Sequence, residues 1–345
     1  MDYETKWEEL NARLRSREQL TGNITAALEE LEIDQRRNGF IKNDLQSVTR
    51  IECQHPSNSE LTFHIQINKR RAQRRGGAGI TIPPRGERSV NNGCFLCREN
   101  IRWQQNQLQV GFHITTRTNA YYVWMNPFPL MPNHVVAAAC DHISQAWRVN
   151  TDQPERLSLR CILGDFSEIA RRLPGYIGFY NGVNAGASIP EHLHFQFFRR
   201  PEEKSIFPLE LSEFRKLDCA NKPEYSVDYP VPVARWSGLV EDVLEHAVVW
   251  ITNWSADNQN RQAHLTFNVI ITSAKHDETI ALYFIPRVAD RQWWNGDKGI
   301  VGGLELLGEL VMASDDECAL VESGQVDYHF IEQALAAVHT PFWIA

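Results

Sequence analysis

A chain of 345 residues with a formal charge of −8, 43% hydrophobic and 23% charged residues is long enough for two packed lobes or one enlarged α/β unit, and too apolar for global disorder. The acidic balance excludes bulk electrostatic binding of nucleic acid or anionic membrane, and no apolar run approaches the roughly 20 residues of a membrane helix. The acidic, amphipathic start, MDYETKWEEL, has no secretory h-region, so a cytoplasmic protein is expected, and its seven cysteines predict no disulfide framework.

In chain order, residues 4–32 read as helical: Trp7, Leu10 and Leu14, then Ala27, Leu28 and Leu31, recur at helical spacing around a break near Gly22. Residues 61–67 read as a strand, followed by a basic cluster, Lys69 to Arg75, and a Pro- and Asn-rich loop over 78–92. Strands are predicted over 120–125 and 134–140, flanking the turn Asn126-Pro127-Phe128-Pro129. A helix is predicted over 155–172, and strands at 176–181 and from His192 to Phe198. Residues 201–235 are rich in Pro and charge and read as a connection. The back third offers a helix near 239–251, strands at 264–272 and 279–286, and a helix near 327–338. It repeats the coarse pattern of the front without the double histidine.

The stretch that carries chemistry is Asn181 to Phe198. On a strand, alternate side chains share a face, so His192, His194 and Gln196 point one way and Leu193, Phe195 and Phe197 the other. Upstream, Gly186-Ala187-Ser188 is a small-residue turn whose backbone N–H groups can approach an anion. Three readings fit: two histidines on a half-exposed strand, a cupin-like metal site using His192 and His194, or nucleophilic catalysis on phosphorus. For the last, a neutral imidazole is a competent nucleophile and leaves readily from a phosphoramidate.

Gly186-Ala187-Ser188 followed by His192-Leu193-His194-Phe195-Gln196 resembles the signature of the nucleotidyl-transferring branch of the histidine-triad superfamily. That branch holds galactose-1-phosphate uridylyltransferase, diadenosine tetraphosphate phosphorylase and the GDP-hexose phosphorylases. The central block is also similar to a bacterial family of unassigned function in the same superfamily. Flanking segments resemble the branch in the same order over residues 61–315: Arg70 to Arg75, Cys94 to Asn100, Asn126 to Pro129, Cys140-Asp141-His142, Phe267-Asn268 and Pro286-Arg287. The sequence departs from the uridylyltransferases at Glu191, where they carry proline, and in a turn one residue longer before His192.

The resemblance implies that His194 is the nucleophile, forming a covalent nucleotidyl-histidine, and that Gln196 holds a non-bridging oxygen of the transferred phosphate. Gly186, Ala187 and Ser188 steady that phosphate. Arg71 and Arg74 neutralise the distal phosphate, Asn126, Pro127 and Phe128 contact ribose and base, and Asn181 reaches the nucleotide. Asn268, Arg287, Trp293 and Trp294 are weaker candidates. Cys94, Cys97, His142 and His192 are the implied ligands of a structural zinc, with His134 competing for the place of His142.

The expectation is therefore an α+β fold of histidine-triad-like antiparallel sheets with packed helices, in two pseudo-repeated halves. Its parts are an N-terminal helical arm (1–60), a catalytic half (61–200), a connection (201–235) and a degenerate second half (236–345). The expected activity is a nucleotidyltransferase or phosphorylase. It acts on a nucleoside-diphosphate sugar or dinucleoside polyphosphate with phosphate or sugar phosphate as acceptor, in a possible homodimer without nucleic-acid or membrane partners. A non-catalytic nucleotide-binding protein and the cupin-like metalloenzyme are the alternatives.

Overall fold

The computed structural model describes residues 2–43, 45–73, 83, 85–103, 107–146, 155–202, 206–216, 222–259, 265–273, 278–288 and 299–339. Its first helix, α1 (Tyr3–Thr21), opens on Asp2, whose carboxylate accepts from the Thr5 N–H at 3.0 Å. It closes on Gly22 at φ +71°, a left-handed position that glycine takes without Cβ strain, and α2 (Thr25–Arg37) follows. Both helices lie on the main body. Trp7 packs 5.5 Å from the rings of Tyr122 and Trp124, and Asn11 accepts from His113 N and donates to Gly111 O.

The strands are β1 (Thr49–Gln54), β2 (Thr62–Ile67), β3 (Phe112–Thr115), β4 (Ala120–Met125), β5 (Val135–Ala139), β6 (Tyr176–Asn181), β7 (His194–Arg199), β8 (Phe214–Lys216), β9 (Glu224–Ser226), β10 (Ala234–Leu239), β11 (Leu265–Ser273), β12 (Thr279–Val288) and β13 (Glu309–Met312). Among the described residues they form two sheets. A ten-stranded sheet runs β3-β4-β5-β7-β6-β11-β12-β10-β9-β8, and a three-stranded one runs β1-β2-β13. Every pairing in the large sheet is antiparallel; β13 alone pairs parallel, with β2. Front-half and back-half strands meet edge to edge where β6 pairs β11, Asn181 opposite Asn268 and Ile177 opposite Thr272.

Strand alternation sorts the side chains. Leu193, Phe195 and Phe197 enter one core, where Phe195 stacks on Phe166 of the Leu159–Arg171 helix at 4.7 Å. Phe198 and Phe179 face the second core, which is closed by the small sheet and the helices Gly303–Leu307 and Tyr328–Ala336. Gly178 permits this packing: a Cβ there would come within 2.5 Å of the Phe197 ring.

Two expectations change. Residues 201–235 are more than a connection. They carry a short helix, Pro208–Leu211, and the strands β8 and β9, three residues each and so too short for a periodic signal. His192 lies before β7 rather than on it, because the chain turns through Glu191 and Leu193, and the strand begins at His194.

Candidate active site

A cavity of about 710 Å³ opens on the sheet face that carries Gln196. Register places Trp124, Val136, Gln196 and Phe179 opposite one another on β4, β5, β7 and β6, so the four form one row across the cavity floor. His194 lies one pleat along on the same face and also lines the cavity.

His194 is buried, with 3% of its surface exposed, and its Nδ1 lies 2.8 Å from the backbone oxygen of His192. A carbonyl oxygen only accepts, so Nδ1 carries the proton and Nε2 is the lone-pair nitrogen. The backbone of His194 is clamped from an unexpected quarter. The β6–β7 ladder stops at Phe179 opposite Gln196, and the side chain of Gln145 fills the place of the next rung. Its Oε1 accepts from His194 N at 2.7 Å, and its Nε2 donates to His194 O at 3.0 Å and to Asn181 O at 2.8 Å.

Gln196 is oriented from behind. Leu130 N donates to His134 Nδ1 at 3.1 Å, so the His134 proton sits on Nε2, which donates to Gln196 Oε1 at 2.9 Å. The Gln196 amide therefore presents its N–H₂ group to the cavity. His134 serves Gln196 and is not at the metal-competent cluster, where His142 stands instead.

Among the described residues that cluster is Cys94, Cys97, His142 and His192, with ligand atoms all within 4.8 Å of one another. Cys94 Sγ lies 3.4 Å from His192 Nδ1, and Cys97 Sγ lies 3.3 Å from His142 Nδ1 and 3.6 Å from His192 Nδ1. A tetrahedral zinc with ordinary bond lengths sets sulfur and nitrogen about 3.6 Å apart, so the donor set fits that ion. His192 Nε2 donates to Ala139 O at 2.7 Å, which turns Nδ1 toward the thiols. The hydrogen bond between the two thiols holds Cys94 below the ordinary thiol range and Cys97 above it. His192 and His194 thus face different places, against the cupin-like reading, which needs both rings on one ion.

The other expected residues divide as follows. Gly186 and Ser188 line the cavity, whereas Ala187 is buried and does not. Gly186, at φ +98°, approaches Gly302 so closely that a Cβ would meet its Cα at 2.8 Å. Asn126, Pro127 and Phe128 line the opposite end, with Asn126 Oδ1 accepting from Phe128 N. Arg71 also lines it, donating to Phe128 O. Arg74, Trp293 and Trp294 lie outside the described residues.

A family model described as a domain of unknown function (DUF4922) matches residues 32–199. No curated protein sequence matches the chain. Among solved structures, yeast Ap4A phosphorylase Apa2 in complex with Ap4A superposes with a TM-score of 0.59 at 15% identity, over 90% of this chain and 94% of that one. The same phosphorylase in complex with AMP gives 0.58 at 15% identity, over 91% and 95%. The chain has the Ap4A phosphorylase fold. The likeness that the His-Leu-His-Phe-Gln motif carries in sequence thus extends to the whole architecture, back half included.

Sequence reasoning missed several residues that line this cavity or support it. Lys42, Gln109 and Trp124 line the end that holds Phe128. Gly302, Gly303 and Glu305 wall the other end, with Gly303 N donating to Asn181 Oδ1 at 3.0 Å. Gln145 carried no signal, since a lone amide in a loop reads as solvated surface. Among the described residues the Trp124 Nε1–H, buried at the cavity, has no hydrogen-bond partner.

Proposed function

We propose that this chain is a nucleotidyltransferase of the phosphorylase type, acting on a dinucleoside polyphosphate or a nucleoside-diphosphate sugar. The observation that carries the reading is the 2.8 Å contact of His194 Nδ1 with His192 O beside a cavity of nucleotide size; since that oxygen only accepts, the ring proton belongs on Nδ1 and the lone pair on Nε2. The fold supports it, since the yeast phosphorylase structures hold Ap4A and AMP.

In this reading Nε2 of His194 attacks the α-phosphorus. An N–P bond forms, the P–O bond to the leaving phosphate breaks, and the leaving group departs with the electron pair as an anion. The Nδ1–H to His192 O bond stabilises the positive ring that results. The amides of Gln196 and Asn181 donate to the non-bridging oxygens. A phosphate or sugar-phosphate oxygen then attacks phosphorus, and the N–P bond returns its electrons to Nε2. No group on Gln196 can protonate a leaving alkoxide, which favours phosphate-type leaving groups over hydrolysis. Lys42 and Arg71 offer positive charge at the Phe128 end.

We also assign Cys94, Cys97, His142 and His192 as ligands of a structural zinc. The ion would tie the loop before β7 to the Cys94–Cys97 turn and so hold the carbonyl that receives the His194 proton. Incubation with nucleotides radiolabelled at the α-phosphorus should give an adduct that survives base and is released by acid. An equal yield of that adduct from His194→Ala would end the assignment of this residue.

A further inference from the structure

We propose that Arg287, buried in the back half, is a positioning residue for the phosphate subsite. Through Asn268 it fixes which end of the Asn181 amide faces the cavity. This deepens the reading above and rests on a phosphate being held there.

A carboxamide can be turned end for end at little steric cost, so its direction is set by neighbours of fixed polarity. A guanidinium only donates. Arg287 is fully buried on β12; its Nη1 lies 2.8 Å from Asn268 Oδ1 and 3.1 Å from Val301 O, and its Nε 2.9 Å from Val338 O. Asn268, on β11, must therefore turn its oxygen to Arg287. Its Nδ2 then donates to Asn181 Oδ1 and to Ala185 O, each at 2.8 Å. The Ala185 carbonyl, which can only accept, agrees with that direction.

Asn181, on β6, is fixed in turn. Its Oδ1 accepts from Asn268 and from Gly303 N, a backbone donor. Its Nδ2 is left toward the part of the cavity walled by glycines, 3.2 Å from where a Cβ on Gly302 would sit and 3.4 Å from one on Gly186. The chain of bonds crosses three adjacent strands and ends in an N–H group facing the cavity. Reversed, the same amide would aim lone pairs at phosphate oxygens. Among the described residues the hydrogen-bond partners of Arg287 are neutral oxygens, so its donors polarise the chain from its head. Neither Asn268 nor Arg287 lines the cavity, so their substitution alters no ligand contact directly.

The test is calorimetric titration of the full-length protein with AMP and adenosine, with the guanine, uracil and cytosine pairs in parallel. The readout is the ratio of nucleoside to monophosphate Kd. A loosened fold weakens both ligands together, whereas the relay acts only on the phosphate. Asn268→Leu is neutral and nearly isosteric; Asn268→Asp keeps an acceptor for Arg287 but has no donor for Asn181. Each should lower the ratio by about tenfold or more, the worth of a hydrogen bond to a charged group. Arg287→Met should do the same, and Arg287→Lys, which keeps a donor-only cation of nearly the same reach, should recover most of the loss. Ratios equal to wild type in both Asn268 variants overturn the proposal alone, as does an Arg287→Lys no better than Arg287→Met. A wild-type ratio near unity overturns it together with the phosphate reading. The Asn268 pair decides the matter should the Arg287 variants not fold.

Discussion

Gln145→Leu removes a side chain that touches no substrate, yet it should disable the site. The change conserves volume but strips partners from His194 N, His194 O and Asn181 O, all in the interior. At about 1–3 kcal/mol for each of the three buried groups left unmade, the loss is on the order of 3–9 kcal/mol before relaxation. That is a large share of the ~5–15 kcal/mol of a typical domain. Relaxation would draw β6 toward β7 and shift His194. A displacement of about 1 Å in a reacting group costs on the order of 100-fold in rate. Urea denaturation measures the first effect, and quenched-flow formation of the nucleotidyl adduct at saturating nucleotide measures the second. Gln145→Glu adds a sign. The ionised form points lone pairs at two carbonyls, so burial raises its folded pKa above the unfolded value, and the protonated form restores one donor. Its stability is therefore fullest at low pH and is lost as pH rises through the folded pKa, with the rate following. A Gln145→Leu variant within about 1 kcal/mol of wild type and unchanged in adduct rate would refute the clamp.

Three further outcomes are expected. His134→Phe removes the donor to Gln196 Oε1 and should slow adduct formation at least about tenfold without weakening nucleoside binding, measured by rapid quench and titration. Elemental analysis of purified protein should find one zinc per chain. Chelation or Cys97→Ser should lower the melting temperature by several degrees, and the metal should be lost as pH falls, because the thiols and imidazoles must be deprotonated to bind. Gly178→Ala places a Cβ 2.5 Å from the Phe197 ring and 2.8 Å from Ile271 and Phe166. It should cost about 1–3 kcal/mol in chemical denaturation while leaving nucleotide affinity intact.

The alternation His-x-His-x-Gln made the strand and its two faces readable, because the pleat dictates them and the Phe and Leu positions reinforce them. It misled for His192, where backbone bonds from Leu193 N to Ile143 O and from Ala139 N to Leu193 O bend the approach and send that ring to the thiols. The Cys94–Cys97 spacing was legible because a metal site needs two donors on one tight turn. By contrast, β3 and β13 span four residues each, too few to show a period, and β1 is mostly exposed, so all three escaped notice. The amide clamp, the His134 support and the Gly302–Glu305 wall arise from contacts between distant segments, to which local pattern is blind. Gln145 and His194 lie 49 residues apart, and Gly303 and Asn181 lie 122 apart.

The region matched by the family model ends at residue 199, the last residue of β7, but the sheet does not end there. β6 is flanked by β7 on one side and by β11 on the other, so a fragment cut at that boundary would bare a strand whose backbone groups from Ile177 to Asn181 had lost their partner. Such a raw margin invites another copy to dock along it. Cutting after β7 should therefore yield sticky assemblies in place of a miniature of the whole protein.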